Sequence, residues 1–345
     1  MLVDKLGLLI HTAHSATVPC HNLKKEWAMK NRIKIFASNA STVLAREVCT
    51  FLSVTLGDAR VARFKDGEVD IQIREDVRGA DVFIIGSTHP PAENLIEIAF
   101  LAETAHDSSA GSVTLAIPYL GGNRQDRKDN KLRTPISAHV VSDFLVRRNP
   151  DRFLLFDIHS EPTAAFFKPL LVDRLSAAKT SVPYLERVLT EPFVVAAPDV
   201  GGGKRARDYA HFLGQHDPIF FSKTRAGAGE IKGVTVIGDV SGKNVLFVDD
   251  MIDTGGTIIA DAEAAKKAGA KDIFVFATHA LFSGEAVVKL DESPVTEVIV
   301  TNTIHHDPKK LATKRVKITV LSIAPLLAEA IHRIHNDESL SALFL

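Results

Sequence analysis

Ten apolar runs of strand length, rich in Val, Ile and Phe, recur along the chain. They are IKIFAS (33–38), DVFIIGST (81–88), SVTLAIPYL (112–120), RFLLFDIHS (152–160), PFVVAAPD (192–199), PIFFSK (218–223), NVLFVDD (244–250), DIFVFATH (272–279), EVIVTNTI (297–304) and VKITVLSIA (316–324). Runs that are apolar at nearly every position suit strands buried on both faces. Between most of them lie stretches with helical spacing, such as STVLAREVCTFL behind a Ser41 N-cap, PISAHVVSDFLVRR, GKRARDYAHFLG, and TIIADAEAAKKAG closed by Gly269. Alternating β and α implies parallel sheets with helices packed on their faces. The pattern occurs twice, over 33–175 and 176–325, so the expected fold is α/β with two similar doubly wound parallel-sheet domains. Residues 326–345 are expected to form a helix and tail on the first domain. One segment breaks the pattern: in ARFKDGEVDIQIRED (62–76) the KDG triplet sits between alternating runs and predicts a small antiparallel flap.

A chain of 345 residues accommodates about two ordinary domains. Its 46% apolar and 24% charged residues fit a globular protein and no membrane class. The formal charge of −1 provides no general field for nucleic acid or lipid, so anion binding has to come from local clusters such as KRAR and RQDRKDNKLR. Two cysteines, Cys20 and Cys49, are too few for a disulfide framework and match no metal spacing, which points to a reducing, cytoplasmic compartment. Residues 1–32 lack the ordered regions of a secretory signal, and Asp4 and Glu26 argue against a transit peptide. They read as a loosely docked extension.

The densest chemistry lies in VLFVDDMIDTGGTI (245–258). In open parallel sheets ligands bind beyond the carboxyl ends of the strands, where Asp249 and Asp250 fall. Thr254, Gly255, Gly256 and Thr257 then open a helix, and their backbone amides form a cradle for a phosphate. No Lys follows the glycines, so this is not the nucleotide loop of the Gly-x-x-x-x-Gly-Lys type. The carboxylates, with Asp253, need a partner other than the phosphate. Vicinal sugar hydroxyls or a divalent cation would each serve, and a phosphorylated sugar matches the amide cradle and the acidic side chains at one spacing.

Other strand ends carry further candidates. FDIHS places Asp157 and His159, and APDVGG places Asp199; a His and a distant Asp hold Mg²⁺ when phosphates and water complete the shell. FFSKTRAGAGEI (220–231) carries Lys223 and Arg225 into a Gly/Ala-rich stretch expected to be a mobile loop that closes over phosphates. GGNRQDRKDNKLRTP (121–135) offers Arg124 to a triphosphate, with Gln125 and Asp129 as polar contacts. RNA is the competing partner for that basic run, but interleaved aromatics for base stacking are missing. In the flap, Phe64 beside Asp66, Gly67 and Glu68 suits a stacked, hydrogen-bonded base, and those residues suit a plain hairpin equally well.

Taken together and in this order, VLFVDDMIDTGGTI, FKDGEVDIQIREDVRGADVFIIGST, RQDRKD, DIHS, APDVGG and SKTR resemble the ribose-phosphate pyrophosphokinase (phosphoribosyl pyrophosphate synthetase) family from about residue 33 to 344. The resemblance implies two type I phosphoribosyltransferase-like domains and transfer of the β,γ-diphosphoryl group of ATP to the 1-hydroxyl of ribose 5-phosphate, with Mg²⁺ as cofactor. It assigns ATP to Phe64, Asp66, Gly67, Glu68, Arg124, Gln125 and Asp129, and Mg²⁺ to His159 and Asp199. Catalysis falls to Lys223 and Arg225. The sugar phosphate falls to Arg225, Asp249, Asp250, Asp253 and residues Thr254 through Thr257. It also implies a homohexamer built from dimers, in which the flap reaches a neighbour's ATP, and a regulatory phosphate or ADP site near Ser339 and Ser341. The chain departs from the family at GGN before Arg124, SEPTAAFF after His159 and AGAGEI after Arg225. A non-catalytic regulatory subunit and a phosphoribosyltransferase acting on a nucleobase are the rival readings.

Overall fold

The computed structural model describes residues 32–128, 133–199, 201–227 and 230–344, with backbone alone for 223–227 and 230–232. In chain order the elements are β1 (Ile33–Ala37), α1 (Thr42–Leu52), β2 (Ala59–Arg63), β3 (Val69–Ile73), β4 (Asp81–Ile85), α2 (Glu93–Asp107), β5 (Ser112–Ile117), α3 (Ser137–Val146), β6 (Arg152–Phe156) and β7 (Leu171–Leu175). The second half adds α4 (Ala178–Val188), β8 (Phe193–Ala197), α5 (Gly203–Phe212), β9 (Ile219–Gly227), β10 (Glu230–Ile237), β11 (Asn244–Ile252) and α6 (Gly256–Lys267). It continues with β12 (Ile273–Ala280), α7 (Ala286–Glu292), β13 (Glu297–Thr301), β14 (Lys317–Leu321) and α8 (Ala324–His335).

The first sheet has five parallel strands in the order β1-β4-β5-β6-β7. One of its faces packs on α2 and α3 through Ile98, Leu101 and Leu145. Its other face is covered by α1 and, from the far end of the chain, by α8: Leu44, Val48, Leu327 and Ile331 belong to one buried cluster. The second sheet has seven strands in the order β10-β9-β8-β11-β12-β13-β14, parallel except for the β9/β10 pair. Both sheets bury both faces, which is why their strands read as unbroken apolar runs.

The alternating pattern predicts the flap correctly. β2 and β3 pair antiparallel, with Arg63 opposite Val69 and Gly67 at φ +97° in the turn, a conformation that costs a glycine nothing. Strand β7 escapes the sequence reading because LVDRL carries a charged pair, Arg152 on β6 bonding Asp173 across the strands. Residues 220–227 and 230–231, expected as a strand leading into a mobile loop, instead lie on the antiparallel β9/β10 pair, with Lys223 opposite Val234 and Arg225 opposite Ile231. Phe221, Val234 and Val236 pack on the second core, and that burial holds as strand a segment whose Gly and Ala content suggests looseness.

Helix ends show the same division between local and tertiary causes. Gly269, at φ +92°, closes α6 with a six-to-one bond from Ala270 N to Ala265 O and a second from Gly269 N to Lys266 O. Ser41 does not cap α1 with its side chain; a short 3-10 turn precedes the helix, and Ser41 Oγ accepts the Ser87 amide at 2.9 Å instead.

The two lobes are joined by buried polar contacts. Asp157, at φ +29°, accepts Ala177 N at 2.8 Å and Thr278 Oγ1 at 2.7 Å on one carboxylate oxygen. His279 Nε2 lies 3.2 Å from its backbone carbonyl. Ser87 Oγ donates to the Thr303 carbonyl at 2.5 Å, and Glu47 accepts Asn302 and Ser322 at 3.0 and 2.5 Å. Among the described residues no helix is long and apolar enough to cross a membrane.

Candidate active site

In the second sheet the chain places β8 beside β9 on one side and β11 on the other, so the strand order reverses between β8 and β11. A crevice opens at the carboxyl ends of the strands at such a reversal. Asp199 follows β8, and Asp249 and Asp250 close β11, so sequence motifs separated by about fifty residues meet at the same edge.

Asp250 is almost fully buried. Its Oδ2 lies 2.7 Å from His159 Nδ1, contributed by the loop after β6 of the other lobe. Arg205, in the first turn of α5, places Nη1 3.5 Å from Asp250 Oδ1 and 3.7 Å from Asp249 Oδ1. The Asp250 amide donates to Asp249 Oδ1 at 2.8 Å. Two adjacent carboxylates in one partly dry crevice cannot both ionise freely. Burial first, then the charge of Asp250, pushes the Asp249 carboxyl up to about 8. Burial opposes ionisation of Asp250 as well, but the His159 hydrogen bond and the Arg205 charge outweigh it and hold its carboxyl well below the usual range. The hydrogen bond to Asp250 in turn raises the His159 imidazole. The pair therefore presents one proton-bearing and one ionised group, arranged around a guanidinium.

The turn after β11 is open where a ligand would need it. Thr254, Gly256 and Thr257 are exposed while Gly255 is buried at φ +77° as the N-cap of α6. The first amides of a helix have no intrahelical partner, and they point out of this turn alongside the positive end of the helix dipole. Asp253 leaves the turn toward the other lobe and meets Arg124 Nη1 at 2.6 Å. The Ser283 hydrogen bond and then Arg124 hold its carboxyl below the ordinary range.

The structure thus brings together His159, Asp249 and Asp250 through direct contacts, and Arg124 with Asp253. Asp199 sits on the loop that leads into α5, where its Oδ1 accepts the Gly202 amide at 2.8 Å. Gln125 stands next to Arg124, and its carbonyl accepts the α3 amide of Ala138. Phe64, Asp66, Gly67 and Glu68 form the flap tip; Phe64 is 55% exposed, and the tip's hydrogen bonds are local, Glu68 N to Asp66 Oδ1 at 3.0 Å and Phe64 N to Glu68 O at 2.8 Å. Among the described residues no hydrogen bond or ion pair joins the flap tip to Asp249 or Asp250. Asp129 lies outside the described residues, as do the side chains of Lys223 and Arg225, whose backbones lie on β9. Arg205 is the site residue that sequence reasoning left unassigned. Its signal was the KRAR cluster, recognised as a local basic patch but not connected to the acidic pair.

An α/β protein whose acidic strand end and glycine turn meet at a topological reversal belongs to the class that binds phosphorylated small molecules there. Residues 33–148 match the domain family described as N-terminal domain of ribose phosphate pyrophosphokinase, and residues 224–345 match the phosphoribosyl synthetase-associated domain. The chain is 44% identical over 322 residues to the ribose-phosphate pyrophosphokinase of Shewanella oneidensis, covering 90% of this chain and 98% of that one. It is 45% identical over 314 residues to that of Vibrio parahaemolyticus, covering 90% and 99%. The crystal structure of phosphoribosylpyrophosphate synthetase from Mycobacterium smegmatis superposes with a TM-score of 0.82 at 35% identity, over 89% of this chain and 99% of that one. The chain belongs to the ribose-phosphate pyrophosphokinase family.

Proposed function

We propose that this protein is a ribose-phosphate diphosphokinase, transferring the β,γ-diphosphoryl group of ATP to the 1-hydroxyl of ribose 5-phosphate and releasing AMP. The observation that carries the reading is the Asp249–Asp250 pair, with Arg205 and His159 against it, set directly before the open Thr254–Thr257 turn. Family membership at this identity and coverage supports the catalytic reading. Purified protein supplied with ATP, Mg²⁺ and ribose 5-phosphate will release AMP. Silence in that assay would favour a non-catalytic regulatory subunit, and base-dependent pyrophosphate release without ATP would favour a phosphoribosyltransferase.

In this reading the amides of Thr254, Gly255, Gly256 and Thr257 hold the 5-phosphate, and Asp249, Asp250 and Asp253 take the ring hydroxyls. The sugar's anomeric oxygen attacks the β-phosphorus itself, so no side chain serves as nucleophile. Positioning and charge stabilisation account for the rate. Arg124 and Gln125 contact the triphosphate, and Phe64, Asp66, Gly67 and Glu68 contact the base; Asp129 joins them in the same role. Lys223 and Arg225 neutralise charge developing on the transferred group.

The residues present fit Mg²⁺. Among the described residues no cluster of three His, Cys, Asp or Glu forms a ready cage, and Mg²⁺ characteristically takes few protein ligands while keeping waters and substrate phosphates. His159 keeps Nε2 beyond its Asp250 bond, and Asp199 keeps its second oxygen beyond the Gly202 bond; these two would hold the ion. When bound it supplies charge neutralisation at the phosphates. Assembly as a homohexamer built from dimers, and control by phosphate or ADP near Ser339 and Ser341, belong to the same proposal.

Two consequences can be measured. Burial, and then the charge of Asp250, favours the protonated form of Asp249 in the free protein. Sugar hydroxyls donating to it favour the ionised form and lower its pKa, so binding releases a proton. Calorimetric titration of ribose 5-phosphate in two buffers of different ionisation enthalpy will give unequal heats, with the sign of proton release; equal heats would remove Asp249 from the hydroxyl site. Gly255→Val places a β-branched residue at φ +77°, at a cost of about 1–3 kcal/mol in the turn. The KM for ribose 5-phosphate will rise about tenfold or more while the KM for ATP changes little.

A further inference from the structure

Glu97, on α2, is fully buried. Three donors converge on its carboxylate. The Asn39 amide reaches Oε2 at 2.9 Å, Asn39 Nδ2 reaches Oε1 at 2.9 Å, and Arg63 Nη2 reaches Oε1 at 2.8 Å. Asn39 Nδ2 also donates to the Val61 carbonyl in the flap at 3.2 Å. Arg63 ends β2 and immediately precedes Phe64. One buried charge therefore ties the flap strand to α2 and to the turn after β1.

The rest of the flap is held differently. Val61, Ile71 and Ile73 lie partly buried against the core that contains Ile98 and Leu101. Apolar contact of this kind resists lifting, but it is non-directional and leaves a two-stranded ribbon free to pivot. A carboxylate receiving charge-assisted bonds fixes direction as well as distance. A buried carboxylate is also costly to maintain unless its partners stay in place, so the cluster favours a single flap orientation.

We propose that Glu97 is a positioning residue for the donor nucleotide, acting through Arg63 to set the orientation in which the flap presents Phe64 to the base. The inference rests on the reading of the flap as the nucleotide-binding element. It makes Glu97 and Arg63 selective for ATP, because neither touches the groups assigned to the sugar phosphate.

The test uses the full-length protein and three changes, Glu97→Gln, Arg63→Ala and Arg63→Lys, with Phe64→Ala as the reference for flap function. Glu97→Gln keeps the side-chain volume, and Arg63 is about a third exposed, so both variants retain the fold as monitored by thermal denaturation. Each will raise the KM for ATP about tenfold, with kcat and the KM for ribose 5-phosphate within about twofold of the parent. Arg63→Lys will restore most of the loss. An unchanged KM for ATP in both variants, while Phe64→Ala raises it, overturns the positioning role and leaves the proposed function standing. A parallel rise of both KM values with a fall in thermal midpoint also overturns it, since that is the signature of a structural role. If Phe64→Ala itself leaves the KM for ATP unaltered, the flap's nucleotide role falls and takes this inference with it.

Discussion

Lys223→Ala will lower kcat by about 10²–10³-fold while leaving ribose 5-phosphate binding mostly intact, because a cation aimed at charge that develops in the transition state contributes little to the ground state. The backbone of β9 carries Lys223 and Arg225, and Phe221 anchors the same strand in the second core. Steady-state kinetics with ATP and ribose 5-phosphate varied separately will decide. A parent-like kcat would remove Lys223 from the chemistry, and a rise confined to the ribose 5-phosphate KM would move it to ground-state binding.

Arg205→Met will abolish most activity and destabilise the second lobe by about 3–5 kcal/mol, because the ionised Asp250 loses a buried partner. The guanidinium lies within 3.7 Å of both Asp249 and Asp250, and methionine removes the charge that, together with the His159 hydrogen bond, keeps Asp250 ionised. The loss depends on pH, and its sign follows from the direction of the change. Removing Arg205 raises the folded-state carboxyl values, so the penalty from Asp250 is complete once pH passes the usual carboxylate range, and the penalty from Asp249 grows as pH rises from about 8 upward. Thermal denaturation will show a smaller deficit at about pH 6 and a larger one at about pH 9. An equal deficit at both would mean that Arg205 acts by packing and not by charge. Ribose 5-phosphate alone will rescue little, since the sugar's hydroxyls donate hydrogen bonds but carry no positive charge.

Much of the fold is legible in local pattern. The apolar runs mark most of the strands, KDG marks the flap turn, and Gly269 marks the end of α6, because each depends on nearest neighbours along the chain. The misreadings share the opposite cause. LVDRL looks too polar for a strand until Arg152 pairs with Asp173 across the sheet, and the β9/β10 segment looks too rich in glycine until its apolar side chains meet the core. Ser41 looks like a helix cap, but the nearby Ser87 amide competes for its hydroxyl.

The candidate site divides along the same line. The acidic strand end, the glycine turn and the parallel-sheet class can be read from the residues alone, since backbone conformation and side-chain periodicity are set over a few residues. Folding is what brings His159 to Asp250 from ninety-one positions away, selects Arg205 over its neighbours in KRAR to hold the acidic pair, and closes the first lobe with α8. The physical reason is that a buried charge is tolerated only beside a specific partner. Which partner arrives depends on how the strands order themselves in the sheet, and that order follows from global packing and not from local spacing.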